Sequence, residues 1–284
     1  MPASGTFGYG TEYAELVSIE RLGAIVTKGI TLTPWSGNPQ PRVCETASGM
    51  LNSIGLENIG VDVAVKSKAP IWSSWQVPVI VNIAGHTREE YVAVARRLDG
   101  LPGVAALEVN ISCPNVSQGG MEFGTDPFVA AELVSSVRRE VTLPLIVKLS
   151  PNVTDIRVVA RAVVESGADA LCVANTLRGT AIDIANRRFR LGRPVGGLSG
   201  AAVKPVALHM VHAVCSTVHV PVIGCGGIAS SEDALEFIMA GATAVQVGTA
   251  TFTDPRAMVG IVEGIESYMQ VQGIGQLQEI RGIV

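Results

Sequence analysis

The chain has 284 residues, of which 48% are hydrophobic and 16% are charged, and its formal net charge is −4. This charge gives no electrostatic reason to expect binding to nucleic acid or to an anionic membrane surface. The sequence has no apolar run of about 18 residues and no basic segment followed by an apolar one at its start, so we expect neither a membrane span nor a secretory signal.

Short apolar segments rich in Val and Ile alternate with longer segments of helical period, which is typical of repeated βα units around a parallel sheet. The predicted strands are residues 24–27, 79–83, 105–109, 145–148, 170–174, 220–224 and 244–248. The predicted helices are residues 11–22, 60–68, 87–98, 126–140, 155–166, 202–218, 231–240 and 255–272. Eight helices and seven strands predict one α/β domain, residues 1–284, folded as a (β/α)8 TIM barrel. Its first strand is expected to be shortened, because residues 4–10 already have the character of a loop after a strand.

Two long insertions, residues 30–58 and 177–199, interrupt the alternation. Both follow predicted strands, so in a barrel they rise at the face formed by the carboxyl ends of the strands. Polar residues gather at the same strand ends, which predicts a site there.

Two glycine-containing turns, at residues 224–228 and 248–250, each follow a late strand and precede a helix. Bare backbone N–H groups in such turns can approach an anion, so they predict phosphate binding. The alternative is that they are tight connections between strand and helix.

Two lysines, Lys28 and Lys148, end predicted strands. A lysine directed into a barrel mouth is costly to bury unless it meets an anion or an electron-rich ring. Lys148 could therefore form a Schiff base, as in barrel aldolases, or neutralise charge on a reduced flavin or a carboxylate. Amide side chains favour a planar ring of alternating N–H and C=O groups as the ligand; these are Asn52, Asn110, Asn115 and Asn175.

The five cysteines are an odd number without paired spacing, which favours a reduced, cytoplasmic protein. No C-x-x-C occurs and the four histidines lack metal spacing, so no metal site is predicted. Cys113 stands apart because it lies in a polar, glycine-flanked loop, where its thiol is a candidate for acid–base chemistry. No histidine is near it in sequence, so a Cys–His hydrolase pair has no local support.

Motifs along nearly the whole chain resemble those of the class 1 dihydroorotate dehydrogenases, most closely the 1B type. They are Ala3-Ser-Gly-Thr-Phe-Gly-Tyr-Gly, Thr27-Lys-Gly-Ile-Thr-Leu, Gly37-Asn-Pro-Gln-Pro-Arg, Gly49-Met-Leu-Asn-Ser-Ile-Gly-Leu, Asn110-Ile-Ser-Cys-Pro-Asn-Val, Val147-Lys-Leu-Ser-Pro-Asn, Ala174-Asn-Thr and Gly196-Gly-Leu-Ser-Gly, followed by the two glycine turns. Relatives have a strand and a short hairpin before the first motif, so an open edge at the first barrel strand is expected.

This resemblance implies a flavin mononucleotide (FMN) enzyme that oxidises dihydroorotate to orotate in pyrimidine synthesis. Cys113 matches the cysteine that removes the C5 proton while C6 passes a hydride to the flavin. The implied flavin contacts are Ser4, Lys28, Gly29, Asn82, Asn110, Lys148, Ala174, Gly200, Gly226, Gly227, Gly248 and Thr249. The implied substrate contacts are Lys28, Asn52, Ser53, Ile54, Gly55, Leu56, Asn110, Asn115, Asn175 and Thr176.

The 1B resemblance also implies a partner subunit that carries FAD and a [2Fe–2S] cluster and passes electrons to NAD. The expected assembly is a heterotetramer of two of each subunit around a homodimer core. This chain has no cluster ligands and no G-x-G-x-x-G fingerprint of its own. Two alternatives remain open, a fumarate-using homodimer of the 1A type and an aldolase that uses Lys148.

Overall fold

The computed structural model describes residues 1–112, 114–115 and 121–284, with only the backbone at residues 114, 115 and 121. The strands of this part are β1 (Ile25–Val26), β2 (Val43–Thr46), β3 (Gly49–Asn52), β4 (Val79–Ile83), β5 (Ala106–Asn110), β6 (Pro114–Asn115), β7 (Met121–Glu122), β8 (Leu145–Lys148), β9 (Ala170–Val173), β10 (Leu177–Gly179), β11 (Ile182–Asp183), β12 (Arg188–Phe189), β13 (Gly196–Ser199), β14 (Val222–Cys225) and β15 (Ala244–Gln246). The α-helices are α1 (Val61–Ser67), α2 (Ala69–Trp72), α3 (Arg88–Leu98), α4 (Pro127–Arg138), α5 (Ile156–Glu165), α6 (Lys204–Cys215), α7 (Ser231–Met239), α8 (Ala250–Thr253) and α9 (Ala257–Gln272). Short 3₁₀ helices cover Ile19–Arg21, Phe123–Thr125, Ala201–Val203 and Leu277–Ile280.

Seven parallel strands form the central sheet in the order β1-β4-β5-β8-β9-β14-β15. Beside β15, Pro2 forms a parallel bridge with Val247. The Ser4 hydroxyl then donates to the Thr27 carbonyl over 2.8 Å. Residues 1–4 therefore lie between the last strand and the first, and the prediction of a TIM barrel is confirmed, as are all seven predicted strands.

Alternation along each strand sorts the side chains into two sets. Outward residues such as Val81, Leu107 and Val147 pack in the core beneath the helices. Inward residues such as Ile80, Ala106 and Ile146 fill the barrel interior. Both faces are apolar at this level, as expected for a parallel sheet covered by helices. Two residues further along these strands, the inward positions become polar, and that change places the site.

Helix starts follow their N-cap residues. Thr87 accepts a hydrogen bond from the Glu90 backbone N–H ahead of α3, and Asp126 accepts one from Phe128 ahead of α4. Seven of the eight predicted helices are confirmed, with shifted ends.

The predicted helix at residues 11–22 is wrong, because only turns and a single 3₁₀ turn occur there. Tyr13 stacks on Phe7 with ring centroids 4.3 Å apart, and the Glu12 carboxylate accepts from the Tyr9 backbone. These contacts with the preceding loop hold the segment in a folded-back conformation that replaces the helix expected from its pattern.

The two insertions pair with each other. Strands β10, β13, β3 and β2 form one four-stranded sheet, in which Leu51 of the first insertion lies opposite Leu198 of the second. The insertions therefore build one antiparallel cover rather than two separate loops. No helix in the described part of the chain has both the length and the apolar character needed to cross a membrane.

Candidate active site

A cavity of about 1460 Å³ opens at the carboxyl ends of the barrel strands, beneath the four-stranded sheet. Among the residues that line it are Ser4, Lys28, Gly29, Asn52, Ser53, Ile54, Gly55, Leu56, Asn82, Asn110, Lys148, Ala174, Asn175, Thr176, Gly200, Gly226, Gly227, Gly248 and Thr249. The structure thus brings together every predicted contact residue whose side chain it describes, while their individual roles stay predictions. Cys113 lies outside the described residues, and so does the side chain of Asn115.

A buried polar network forms below the cavity. Glu108 of β5 is 0% exposed, and its two carboxylate oxygens accept from the Asn82 amide over 2.7 Å and from the Gln246 amide over 2.5 Å. These residues come from three different strands and all point into the barrel. A buried carboxylate needs such donors, because burying a charge without partners is strongly unfavourable.

Lys148 of β8 completes the network. Its ammonium group donates to Gln246 Oε1 over 3.0 Å and lies 3.9 Å from Glu108 Oε1. Burial lowers the pKa of Lys148, but the negative charges of Cys225 and Glu108 outweigh it and raise that pKa above its ordinary value. The amine is therefore held protonated. A Schiff-base lysine must be neutral to attack a carbonyl, so this environment disfavours the aldolase alternative.

The sequence reading missed Glu108 and Gln246 as members of the site. Each continues an inward series along its strand, Glu108 between Ala106 and Asn110, and Gln246 two residues after Ala244. A polar residue at an inward strand position near the barrel mouth was the pattern that could have identified both.

Two asparagines form one wall of the cavity. Asn175 Nδ2 donates to Asn110 Oδ1 over 3.2 Å, and the Ser112 backbone N–H donates to the same oxygen over 3.1 Å. Asn175 Oδ1 accepts from the Thr176 backbone. Because the Asn110 oxygen has these two donors, its NH₂ group is the part left to act as a donor toward a ligand.

A second part of the cavity wall comes from the insertion sheet, the four-stranded sheet β10-β13-β3-β2. Asn52 ends β3, and its side-chain amide donates to the Gly197 carbonyl of β13 over 3.2 Å. Residues 53–56 follow directly and line the cavity. The pairing of the two insertions is therefore what carries the predicted substrate segment to the barrel mouth.

Glu122 of β7 is a further lining residue that the sequence reading did not identify. It accepts from Arg178 over 2.7 Å and from the Ser150 hydroxyl over 2.7 Å. Its strand pairs with β6, where Pro114 lies opposite Glu122. These bonds fix the end of the β6–β7 pair to the barrel.

The glycine turn after β14 has a packing reason as well as a predicted binding one. Gly227 has φ of 76°, and a Cβ there would lie 2.7 Å from the backbone nitrogen of Lys204. A Cβ on Gly226 would lie 2.7 Å from the Ala207 side chain. Close packing against helix α6 thus requires both glycines, and both also line the cavity.

The cavity also fits the flavin that the sequence resemblance implies. Asn82 Oδ1 and Ser112 Oγ are buried and have no hydrogen-bond partner among the described groups. Such atoms cost about 1–3 kcal/mol each when left unpaired, so a ligand with polar edges is expected beside them. A protonated lysine at one end and glycine turns at another suit an electron-rich ring joined to a phosphate. Within the described ranges, no group of three or more His, Cys, Asp or Glu side chains is arranged to hold a metal ion.

Comparisons with known proteins identify the family that this chain resembles. A family model described as dihydroorotate dehydrogenase matches residues 1–269. The catalytic subunit of dihydroorotate dehydrogenase B (NAD(+)) from Geotalea uraniireducens is 57% identical over 282 residues, which cover 99% of this chain and 92% of that protein. The protein of the same name from Desulforamulus reducens is 57% identical over 280 residues, with the same two coverages. The crystal structure of a dihydroorotate dehydrogenase from Eimeria tenella in complex with ferulenol has a TM-score of 0.79 and 23% identity, covers 93% of this chain and 79% of that one, and supports the fold alone.

Proposed function

This chain belongs to the dihydroorotate dehydrogenase family, and we propose that it oxidises (S)-dihydroorotate to orotate in pyrimidine biosynthesis as the catalytic subunit of an NAD⁺-linked enzyme. One structural observation carries the proposal. A single cavity collects a protonated lysine, two mutually oriented asparagines and the glycine turns from separate strand ends. This set matches a flavin and a small planar amide, and the named relatives supply the reaction.

The proposed cofactor is FMN. Lys148 and Asn82 would contact its ring, and Gly226, Gly227 and Thr249 would surround its phosphate, since all five line the cavity. The chemistry that bound FMN would supply is acceptance of the hydride from C6 of dihydroorotate. The protonated Lys148 favours negative charge on its neighbour, so its part is to stabilise the reduced cofactor.

Dihydroorotate is a cyclic amide with a carboxylate, and the cavity walls offer matching groups. Asn110 has its NH₂ available because its oxygen already accepts from Asn175 and Ser112. Lys28 lines the same cavity and supplies a cation for the carboxylate. The substrate segment at residues 52–56 would complete the enclosure and orient the ring.

The proposed base is Cys113, which removes the proton from C5 as the hydride leaves C6. Loss of one proton and one hydride turns the C5–C6 single bond into the double bond of orotate, so atoms and electrons balance. The neighbouring residue Ser112 has a buried hydroxyl without a partner in the described part of the chain, and that hydroxyl is available to hydrogen-bond a group at the reacting edge.

The proposed partner is a second subunit that carries FAD and a [2Fe–2S] cluster. The sequence has neither a C-x-x-C motif nor a G-x-G-x-x-G motif for these groups. Electrons from reduced FMN would therefore leave through the partner to NAD⁺, in a heterotetramer built on a homodimer of this chain. The relatives' designation as a catalytic subunit of an NAD⁺-linked enzyme supports this arrangement.

The test is the visible spectrum of the purified protein without oxygen, before and after addition of dihydroorotate. The proposal expects a yellow protein that bleaches and then recovers its colour when partner subunit and NAD⁺ are added. If the yellow colour returns rapidly with fumarate and without a partner subunit, the protein is instead a fumarate-using enzyme of the 1A type. A colourless protein that borohydride traps with a carbonyl substrate would replace it with the aldolase.

A further inference from the structure

Glu108 joins two amides whose roles differ, and the proposed function does not use it. It accepts from Asn82 on one side and from Gln246 on the other, and it is fully buried. We propose that Glu108 is a positioning residue that sets the hydrogen-bond polarity of Asn82 and Gln246, and so determines which acceptor and which cation the barrel presents to FMN. The inference rests on the proposed function, since FMN is its ligand.

Glu108 fixes the orientation of the Asn82 amide. A carboxylate can only accept, so Asn82 must turn its NH₂ group toward Glu108 and its oxygen away. That oxygen is buried and lacks a partner among the described residues, and a Cβ on Gly29 of the cavity wall would lie 3.0 Å from it. The oxidised flavin ring carries one N–H group, at N3, which is the donor that such an acceptor would recognise. Glu108 therefore fixes an acceptor at the cofactor position.

Glu108 also fixes the orientation of the Gln246 amide. Its NH₂ group is also committed to Glu108, so its oxygen faces the other way and accepts from Lys148 over 3.0 Å and from the Cys172 thiol over 3.3 Å. The oxygen thus holds the lysine ammonium in place. One carboxylate thus orients two amides, each with its NH₂ group toward Glu108 and its oxygen away from it.

Glu108 also places a negative charge near Lys148. Glu108 lies 3.9 Å from the Lys148 ammonium, and both are almost completely buried. Together they form a nearly neutral pair below the cavity. Removing the charge of Glu108 takes away one of the two negative partners of this cation, the other being Cys225. The less compensated cation then favours electron-rich reduced FMN over oxidised FMN. Glu108 is therefore expected to lower the midpoint potential of the bound flavin.

The substitution Glu108→Gln keeps the size of the side chain but breaks this logic. Its oxygen can still accept from Asn82, but its NH₂ group then faces the NH₂ group of Gln246. If Gln246 turns over to relieve that contact, its NH₂ group faces the Lys148 ammonium instead. If the amide at position 108 turns over instead, Asn82 must turn with it and present its NH₂ group to the cofactor N–H. Two donors therefore face each other in each of the three arrangements.

The swapped pair Glu108→Gln with Gln246→Glu removes the conflict. The amide introduced at position 108 would accept from Asn82 and donate to the carboxylate introduced at position 246. That carboxylate would in turn accept from Lys148. Both the orientation of Asn82 and the countercharge of Lys148 are then kept. We therefore expect this double variant to restore the wild-type properties. If E108Q acted only through lost packing, the second substitution would not restore them.

The experiment measures FMN binding to apoprotein by fluorescence, and the midpoint potential of the reloaded protein, for wild type, E108Q and the swap. We expect E108Q to bind oxidised FMN about tenfold more weakly or worse. We also expect it to prefer reduced FMN about tenfold more than wild type does, a rise of about 30 mV for a two-electron couple. The swap should return both values to within about threefold of wild type. Asp99→Asn is the control, because Asp99 is an acceptor for Thr142 and Leu143 outside the cavity lining.

Failure of the two proposals gives different results. Wild-type apoprotein that does not bind FMN, or whose flavin dihydroorotate does not reduce, overturns the proposed function. If wild-type protein binds FMN and dihydroorotate reduces it, but E108Q has the same FMN affinity and midpoint potential, only the role of Glu108 is overturned. If E108Q does not fold, the double variant is the test. Wild-type-like FMN affinity and midpoint potential in the double variant support the proposed role of Glu108, and a tenfold loss of FMN affinity contradicts it.

Discussion

Asn175 Nδ2 donates to Asn110 Oδ1 over 3.2 Å and links the loop after β9 to the end of β5 across the cavity wall. Replacing Asn175 by Asp puts a carboxylate oxygen against the Asn110 oxygen, so Asn110 must turn and lose its orientation toward the ligand. We expect the KM for dihydroorotate to rise about tenfold or more in steady-state assays at saturating FMN. Asn186→Asp, in an exposed turn of the β11–β12 hairpin, is the control and should leave KM unchanged. Equal KM values for Asn175→Asp and wild type would contradict the assigned orientation.

The barrel strands could be predicted because each is a short apolar run that is buried on both faces, which is a local property of sequence. The insertion sheet could not be predicted in the same way. Its strands have three or four residues each, and its central contact joins Leu51 to Leu198. Pairing over such a separation leaves no periodic pattern in either segment alone.

The site residues likewise differ in how far the sequence alone could identify them. Lys148 and the asparagines could be identified because polar residues at strand ends are conspicuous one at a time. Glu108 could not be assigned from its own neighbours, since its partners Asn82 and Gln246 lie 26 and 138 residues away in sequence. Only the closed barrel brings their strands together around one interior.

Leu51 tests whether the insertion sheet supports the substrate segment. It is 2% exposed at the centre of this sheet and precedes Asn52 directly. We expect Leu51→Ala to lower the free energy of unfolding by about 2–5 kcal/mol in denaturant titrations and to raise the KM for dihydroorotate. Ile182→Ala removes an aliphatic side chain that is 59% exposed and should change stability by less than about 0.5 kcal/mol. If Leu51→Ala has the stability and the KM of wild type, the insertion sheet does not support the substrate segment.

Cys113 is the proposed base, so its removal should slow the chemical step and spare cofactor binding. In Cys113→Ala we expect the rate of flavin bleaching by dihydroorotate, followed by anaerobic stopped-flow absorbance at neutral pH, to fall about 10²–10⁴-fold. The oxidised FMN spectrum and its affinity should be retained. Cys44→Ala, on strand β2 of the insertion sheet, is the matched control and should bleach at the wild-type rate. Unchanged bleaching in Cys113→Ala would assign the proton to another group.

The buried thiols Cys172 and Cys225 predict a pH dependence of stability in the apoprotein. The neighbouring Cys172 side chain has the largest lowering effect on the pKa of Cys225, burial opposes it, and the charge of Lys148 adds to it, so that the pKa falls from 9.0 to about 7. Burial raises the pKa of Cys172. Between pH 7 and 9 the folded chain has then lost the Cys225 proton that the unfolded chain still holds. Because the unfolded state binds more protons, stability rises with pH across this window and is lost as pH falls through 7.

The measurement is the free energy of unfolding of wild-type and Cys225→Ser apoprotein, determined by denaturant titration from pH 6 to 9. Serine does not titrate in this range, so the difference between the two proteins isolates the thiol. We expect the free energy of unfolding of wild type to increase, relative to that of the variant, by as much as about 3 kcal/mol as pH rises from 7 to 9. The ultraviolet absorbance of the folded proteins should show a thiolate with a midpoint near pH 7 only in wild type. A difference that stays constant with pH would mean that Cys225 remains protonated, and that Lys148 is balanced by Glu108 without it.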